Sequence, residues 1–206
     1  ARARIALQGP GSLTVHDVAA DGRWLVSRDD RRSGIRVLTA GAGVERELAW
    51  LDRSDLAAIA DDGRTVLFTE LASPAGASGM VCLRTSDGGP VVALGEGEAQ
   101  DLSPDGQWAI AIRREPPELL LYPTGAGERR SLPRGALEDY RWASWFPDGR
   151  RVLVCGSEKA EASRCYAQDV ATGTMNAVTP DGDWGLPSPD GLRMLVWRPD
   201  GRLAIH

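Results

Sequence analysis

Two histidines are the side chains of this sequence best suited to moving a proton near neutral pH. His16 lies in the segment "SLTVHDVA", and His206 is the final residue. A hydrolase triad would need His16 beside an aspartate and a nucleophilic serine, yet no Gly-x-Ser-x-Gly elbow is present to hold such a serine. We therefore predict no catalytic residues and interpret His16 as a packed or channel-facing side chain.

Aspartates recur beside glycines, but their spacing fits no metal or phosphate site. None of the Asp-Gly pairs has the alternating carboxylates of a calcium-binding loop. A phosphate cradle would need a glycine-rich loop that opens a helix, and no window has the apolar periodicity of a helix. The sequence therefore predicts neither a metal nor a cofactor.

The three cysteines, Cys82, Cys155 and Cys165, have no zinc-ligand spacing and form no disulfide framework. Cys155 and Cys165 are expected on neighbouring strands of one hairpin. Opposed strand positions hold their Cβ atoms ~4.5–5.5 Å apart, which is wider than the ~3.8 Å of a disulfide. We favour buried thiols that pack as small apolar side chains, with a Cys155–Cys165 bridge as the alternative.

Composition indicates one globular domain over residues 1–206. The chain has 42% apolar and 26% charged residues and a net charge of −5. A nucleic-acid partner would normally require a basic patch, and a membrane span would require an apolar run of ~18 residues. We expect neither partner. The opening "ARARIALQGPG" is too short in its apolar part for a signal peptide, so bacterial cytoplasm and periplasm both stay open.

One turn, built on Asp-Gly, recurs along the whole chain. The glycines are separated by 41, 43, 43 and 42 residues, so the chain is a repeat protein. The five turns are Asp21-Gly22, Asp62-Gly63, Asp105-Gly106, Asp148-Gly149 and Asp190-Gly191. Aspartate can bond nearby backbone N–H groups and glycine accepts a positive φ, so each pair is expected to close a tight hairpin.

Each repeat contains about four short apolar runs separated by turn residues. In the third repeat, they are 98–103, 107–113, 118–122 and 129–132. Four strands in ~42 residues with tight connections are typical of one blade of a β-propeller. We therefore predict an all-β propeller of four-stranded blades.

The residues also resemble a known family. "LSPDGQWAIAI", "WFPDGRRVLVCGSE" and "PSPDGLRMLVWRPDG" look like TolB-like propeller repeats, and the first two repeats depart by lacking Ser-Pro before Asp-Gly. The resemblance covers nearly the whole chain. It implies a propeller such as those of bacterial serine/threonine kinases and prolyl-oligopeptidase-type peptidases, but a fold does not carry a function with it.

The strand count suggests how the ring closes. Residues 3–7 precede the first complete repeat, and the last repeat lacks its outermost strand. Pairing of 3–7 beside 202–206 would give five blades with Velcro closure and remove an open sheet edge, so the chain would be a monomer. The alternative is an arc of a larger ring.

Tryptophans are expected mainly to pack. Trp24, Trp108 and Trp197 lie on second strands, where large rings would fill the space between blades. Trp142, Trp145 and Trp184 lie on or just before first strands, nearest the axis, and for these we also favour packing over ligand stacking.

One face of the propeller is predicted to carry the variable loops. In a blade, the connections from the fourth to the first strand and from the second to the third emerge together, opposite the Asp-Gly turns. Loops 113–118, 134–142 and 180–185 belong to this face. Its candidate partner-binding residues are Arg113, Arg114, Asp139, Tyr140 and Trp184.

Three functional hypotheses follow. The first is a noncatalytic scaffold that presents the loop face to a protein or peptide, since aromatic and arginine side chains are enriched at interface hot spots. The second is a regulatory or cap domain of a larger bacterial kinase or peptidase, which the flanking coding sequence would decide. The third is an engineered propeller fragment without a physiological role.

Overall fold

The computed structural model describes residues 12–29, 32–38, 41, 43–71, 79–159 and 161–205. These residues form nineteen β-strands. Over the same ranges, no helix is long and apolar enough to cross a membrane. The all-β propeller prediction is confirmed.

The strands follow the five repeats in order, and we number the blades by repeat. In the first two repeats, they are β1 Ser12–Val18, β2 Trp24–Asp29, β3 Arg36–Leu38, β4 Glu45–Glu47, β5 Ser54–Ile59, β6 Thr65–Glu70, β7 Met80–Thr85 and β8 Val92–Glu96. In the last three, they are β9 Glu98–Leu102, β10 Trp108–Arg113, β11 Glu118–Pro123, β12 Arg130–Leu132, β13 Trp142–Trp145, β14 Arg151–Gly156, β15 Arg164–Asp169, β16 Met175–Ala177, β17 Trp184–Pro187, β18 Met194–Trp197 and β19 Leu203–Ile205.

Blades two, three and four are complete four-stranded antiparallel sheets whose strands pair in sequence order. The Asp-Gly turns join the first and second strands as predicted. At the third turn, Gly106 has a φ of 67°, and the Gln107 N–H donates to the Asp105 carboxylate at 3.0 Å. The same bond from the second residue after the aspartate forms at Asp62, Asp148 and Asp190.

The first repeat differs from the prediction of one four-stranded sheet, because β1–β2 and β3–β4 are separate hairpins. The connector between them explains the split. Ser33 forms a parallel bridge with Arg53, and the Ser54 N–H donates to the Ser33 carbonyl at 3.1 Å. At Ser33, the chain that leads into β3 therefore runs beside the loop that enters blade two.

The fifth repeat contributes three strands, ordered β17-β18-β19. The strand predicted at residues 3–7 lies outside the described residues, as does His206. The five-bladed closure consequently stays a prediction.

Apolar layers between successive blades form the core. Alternating side chains of β14 show the arrangement, since Val152 and Val154 pack with blade three while Leu153 and Cys155 belong to the layer toward blade five. Strand alternation sends neighbouring residues to opposite faces, so each central blade is apolar on both.

Cys155 and Cys165 are disulfide-bonded, which corrects our expectation of two free thiols. They are direct partners on β14 and β15, and their Cα atoms lie 4.0 Å apart. This local approach is closer than the average strand spacing on which the expectation rested. Cys82 is a buried free cysteine, and burial raises the pKa of its thiol to about 12.

Replacing Cys155 and Cys165 together by alanine is expected to lower the free energy of unfolding by roughly 3 kcal/mol or more, because the bridge restricts the unfolded chain. Urea unfolding measures the loss, with Cys82→Ala as control. The bridge would be contradicted if the double variant lost no more than twice the free energy of unfolding that Cys82→Ala loses. In denaturant without reductant, alkylation of the unchanged protein should modify Cys82 alone.

Candidate functional site

The predicted partner residues of blades three and four lie close together. The Arg114 guanidinium donates to the Glu98 carboxylate, with Nε at 3.0 Å, and to the Tyr140 carbonyl at 2.6 Å. The hydrogen bond with Glu98 raises the pKa of Arg114. Arg114 therefore ties blade three to the loop that enters blade four. Arg113 is paired with Glu118 at 2.6 Å across β10 and β11.

Asp139 holds the neighbouring loop in place. Its carboxylate accepts hydrogen bonds from the backbone and hydroxyl of Ser157 at 2.7 and 2.6 Å and pairs with Arg141 at 3.2 Å. Burial favours the protonated form, but these Ser157 and Arg141 contacts hold the pKa of Asp139 below its usual value. The position of Arg141 and the residues after it depends on this carboxylate.

Tyr140 is part of the core. Its side chain is 2% exposed and packs with Leu137 and Ile110 between blades three and four. Burial raises the pKa of its hydroxyl to about 12. Because a partner cannot reach this ring as it is placed, we leave the Tyr140 side chain out of the binding surface proposed below.

Trp184 lines a cavity of about 370 Å³ on the loop face, and we call it the tryptophan cavity. Its lining residues are Arg141, Trp142, Trp184, Gly185, Leu186 and Trp197. Trp184 and Trp197 are direct partners on β17 and β18. Gly185 permits close packing, since a Cβ atom there would lie 2.4 Å from the Met194 sulfur. The cavity is apolar and aromatic except for one guanidinium.

The cavity opens onto a larger apolar surface, the outer face of blade five. Val196 and Met194 point toward blade four, so the alternate residues of the sheet point away from it. These are Leu186, Leu195, Trp197, Leu203 and Ile205, whereas Trp184 also packs against the layer toward blade four. Leu203 and Ile205 are 59% and 70% exposed, so no described residue covers this part of the sheet.

Sequence reasoning identified Trp184 but assigned Trp142 and Trp197 to packing. A signal for Trp142 was present, since it lies seven residues before its turn glycine, the same position that Trp184 occupies one repeat later. Trp197 gave no such signal, because whether its face is covered depends on the neighbouring blade.

Among the described residues, the side chains that could do chemistry do not assemble into a catalytic triad or a metal-binding group. His16 Nε2 lies 2.7 Å from the Ser27 hydroxyl on the exposed β1–β2 hairpin. Over the described ranges, no carboxylate bonds to this imidazole, so the third member of a triad is missing there. The same ranges contain no group of three or more His, Cys, Asp or Glu residues that could hold a metal ion.

Antiparallel blades stacked through apolar layers define the class of this structure, a β-propeller. No protein-family model matches the chain, and no curated protein matches its sequence. Solved structures do match. The structure of a putative TolB from Agrobacterium tumefaciens has a TM-score of 0.65 and 17% identity, with 98% of this chain and 83% of that one covered.

Two propellers of proteases are also similar. The tricorn protease has a TM-score of 0.63 and 13% identity over 97% of this chain and 25% of its own. The β-propeller domain of the trilobed protease from Pyrococcus furiosus is described as having an open velcro topology. It has a TM-score of 0.52 and 15% identity, with 69% of this chain and 48% of that one covered. The chain thus spans under half of each. The resemblance to TolB-like propellers, including those of peptidases, is confirmed for the fold.

Proposed function

We propose that this domain is a noncatalytic binding propeller that docks a protein or peptide over the tryptophan cavity. The observation that carries the proposal is the meeting of Trp142, Trp184, Trp197 and Arg141 around one apolar cavity on the loop face. Tryptophan and arginine are the side chains most enriched at interface hot spots. Binding sites of this kind are concave, mostly apolar and supplied with a few polar groups.

The partner supplies an apolar or aromatic anchor side chain. Trp197 is 43% exposed and Leu186 39%, so a bound side chain would cover apolar surface that water now contacts. Burial of such surface stabilises a complex by about 25 cal/mol per Å² before the costs of association. Arg113 and Arg114 form the charged rim of the same face and contribute less, since their guanidinium groups already have carboxylate partners.

The disulfide bond between Cys155 and Cys165 supports a location outside the reducing cytoplasm. Both cysteines are fully buried and bonded. Disulfides persist in oxidising compartments such as the bacterial periplasm and are rare in the cytosol. Of the two compartments that the sequence leaves open, we propose the periplasm.

Peptides selected from a random library on the immobilised full chain test the binding site. Trp184→Ala and Trp197→Ala are each expected to weaken the selected peptides about 10- to 100-fold, the loss typical of a hot-spot aromatic. Trp24→Ala is the matched control, because Trp24 is 51% exposed on the β1–β2 hairpin and does not line the cavity. Failure to select any peptide, or equal affinity of all three variants, would reject the proposal.

A further inference from the structure

Arg141 is the charged member of the tryptophan cavity. Its guanidinium pairs through Nε with the Asp139 carboxylate at 3.2 Å, and two hydrogen bonds from Ser157 hold that carboxylate in place. The Nε end of the group is therefore anchored, whereas the two terminal nitrogens make no hydrogen bond within the described ranges. The side chain is 53% exposed, so a ligand can reach it.

The other two arginines of this face have no such capacity. Arg114 donates from Nε and one terminal nitrogen to Glu98, and from the other terminal nitrogen to the Tyr140 carbonyl. Arg113 pairs with a carboxylate across β10 and β11 at 2.6 Å. Neither of them lines the tryptophan cavity. Of these three arginines, Arg141 is thus the one that has terminal N–H groups available beside an apolar surface.

The positive charge and an aromatic ring stand side by side, because Arg141 and Trp142 are consecutive residues and both line the cavity. Among the described residues, no carboxylate lines it. Aromatic cages bind quaternary ammonium groups, but a guanidinium in the wall repels such a cation. The chemistry that fits this cavity is an anion directly beside an apolar side chain.

We propose that the tryptophan cavity binds the C-terminal residue of a peptide. The terminal carboxylate binds Arg141, and an aromatic or large aliphatic side chain packs against Trp184 and Trp197. This inference rests on the proposed function and names its partner. A guanidinium binds a carboxylate through two parallel N–H···O bonds, which require two free donors. A C-terminal residue carries its carboxylate and its side chain on one Cα atom, so a cavity of about 370 Å³ can meet both.

A peptide carboxylate suits the site better than a phosphate group or a free acid. Phosphorylated peptides are usually recognised by clusters of arginines, whereas a single guanidinium lines this cavity in the described part of the chain. The apolar surface also continues past the cavity, since Leu203 is the direct partner of Trp197 and is 59% exposed. The residues that precede the C-terminus lie along this surface.

The test uses the ¹⁵N-labelled full chain and follows the indole N–H signals of Trp184 and Trp197. The probe is acetyl-Gly-Gly-Gly-Phe with a free carboxylate, and its matched control is the same peptide as the C-terminal amide. We expect the acid to bind about fivefold more tightly than the amide, the advantage of a charge-assisted hydrogen bond at a half-exposed site. Acetyl-Gly-Phe-Gly-Gly, whose carboxylate is displaced from the ring, should bind no better than the amide. N-acetylphenylalanine should bind more weakly than the acid probe, and equal binding would contradict a peptide as the ligand.

Arg141→Gln provides the second arm of the test. Asp139 keeps its bonds from Ser157 in this variant, so the loop should stay in place while the preference for the acid over the amide is lost. Arg134→Gln removes the same charge from an exposed position of the same loop that does not line the cavity, and it should keep the preference.

Two results would overturn the inference, and they differ in what they leave standing. Equal affinity of the acid and the amide, with both weakened by Trp184→Ala, would exclude recognition of the carboxylate and leave the proposed function intact. Failure of both probes and of every selected peptide to bind would reject the inference together with the proposed function.

Discussion

Gly156→Ala is expected to destabilise the domain by roughly 2–3 kcal/mol, because the new methyl group has no space. A Cβ atom at Gly156 would lie 2.2 Å from the carbonyl oxygen of Asp139, which is backbone. That segment cannot move freely, since the Glu138 N–H donates to Ser157 at 2.8 Å and the Arg141 N–H to Cys155 at 2.7 Å. The substitution should also disturb the tryptophan cavity, which Arg141 lines.

Thermal melting measures the effect of Gly156→Ala, and a loss of this size corresponds to a drop of roughly 5–10 °C for a domain of this length. Gly125→Ala is the control. A Cβ atom there would meet no heavy atom within 4 Å, so its stability should change by less than about 0.5 kcal/mol. Equal melting temperatures for the two variants would show that the loop before β13 is not held as described.

Deletion of residues 1–8 is expected to lower the melting temperature by roughly 10 °C and to cause dimers or aggregates. If the ring closes as predicted, residues 3–7 pair with β19 and bury Ile5 and Leu7. A few ladder hydrogen bonds contribute about 0.5–1.5 kcal/mol each, and each buried aliphatic side chain adds roughly 1.5–3 kcal/mol. Their loss would leave β19 as an open edge beside the exposed Leu203 and Ile205.

Light scattering and thermal melting of the 9–206 chain beside the full chain decide the closure. Val44→Ala in the full chain is a control for the loss of exposed apolar surface, since Val44 is 74% exposed outside any strand. A monomeric 9–206 chain with the melting temperature of the full chain would mean that the ends do not meet. The domain would then be an arc of a larger ring.

Much of the fold could be predicted because its information is local. A glycine with positive φ and an aspartate that binds the next N–H groups are sufficient to mark each turn, and the period between them counts the blades. The predicted third blade agrees with β9–β12 to within a residue or two at each end. The split first repeat escaped prediction because Ser33 pairs with a loop twenty residues away, which no local pattern records.

The candidate sites depend on contacts between blades, so less of them could be predicted. Tyr140 has the residue type of a binding surface, but burial against Ile110 and Leu137 removes its ring from the surface. Trp197 has the position of a packing residue, yet its side chain is 43% exposed among the described residues. Alternation along a strand tells which side chains share a face, and only the assembled blades tell which faces are covered.

A crystal structure of the full chain with a selected peptide tests the binding proposal most directly. We predict that an apolar or aromatic side chain of the peptide enters the tryptophan cavity and contacts Trp184 and Trp197 within about 4 Å. A peptide bound on the Asp-Gly turn face, or on the loop face without contact to either tryptophan, would contradict the account.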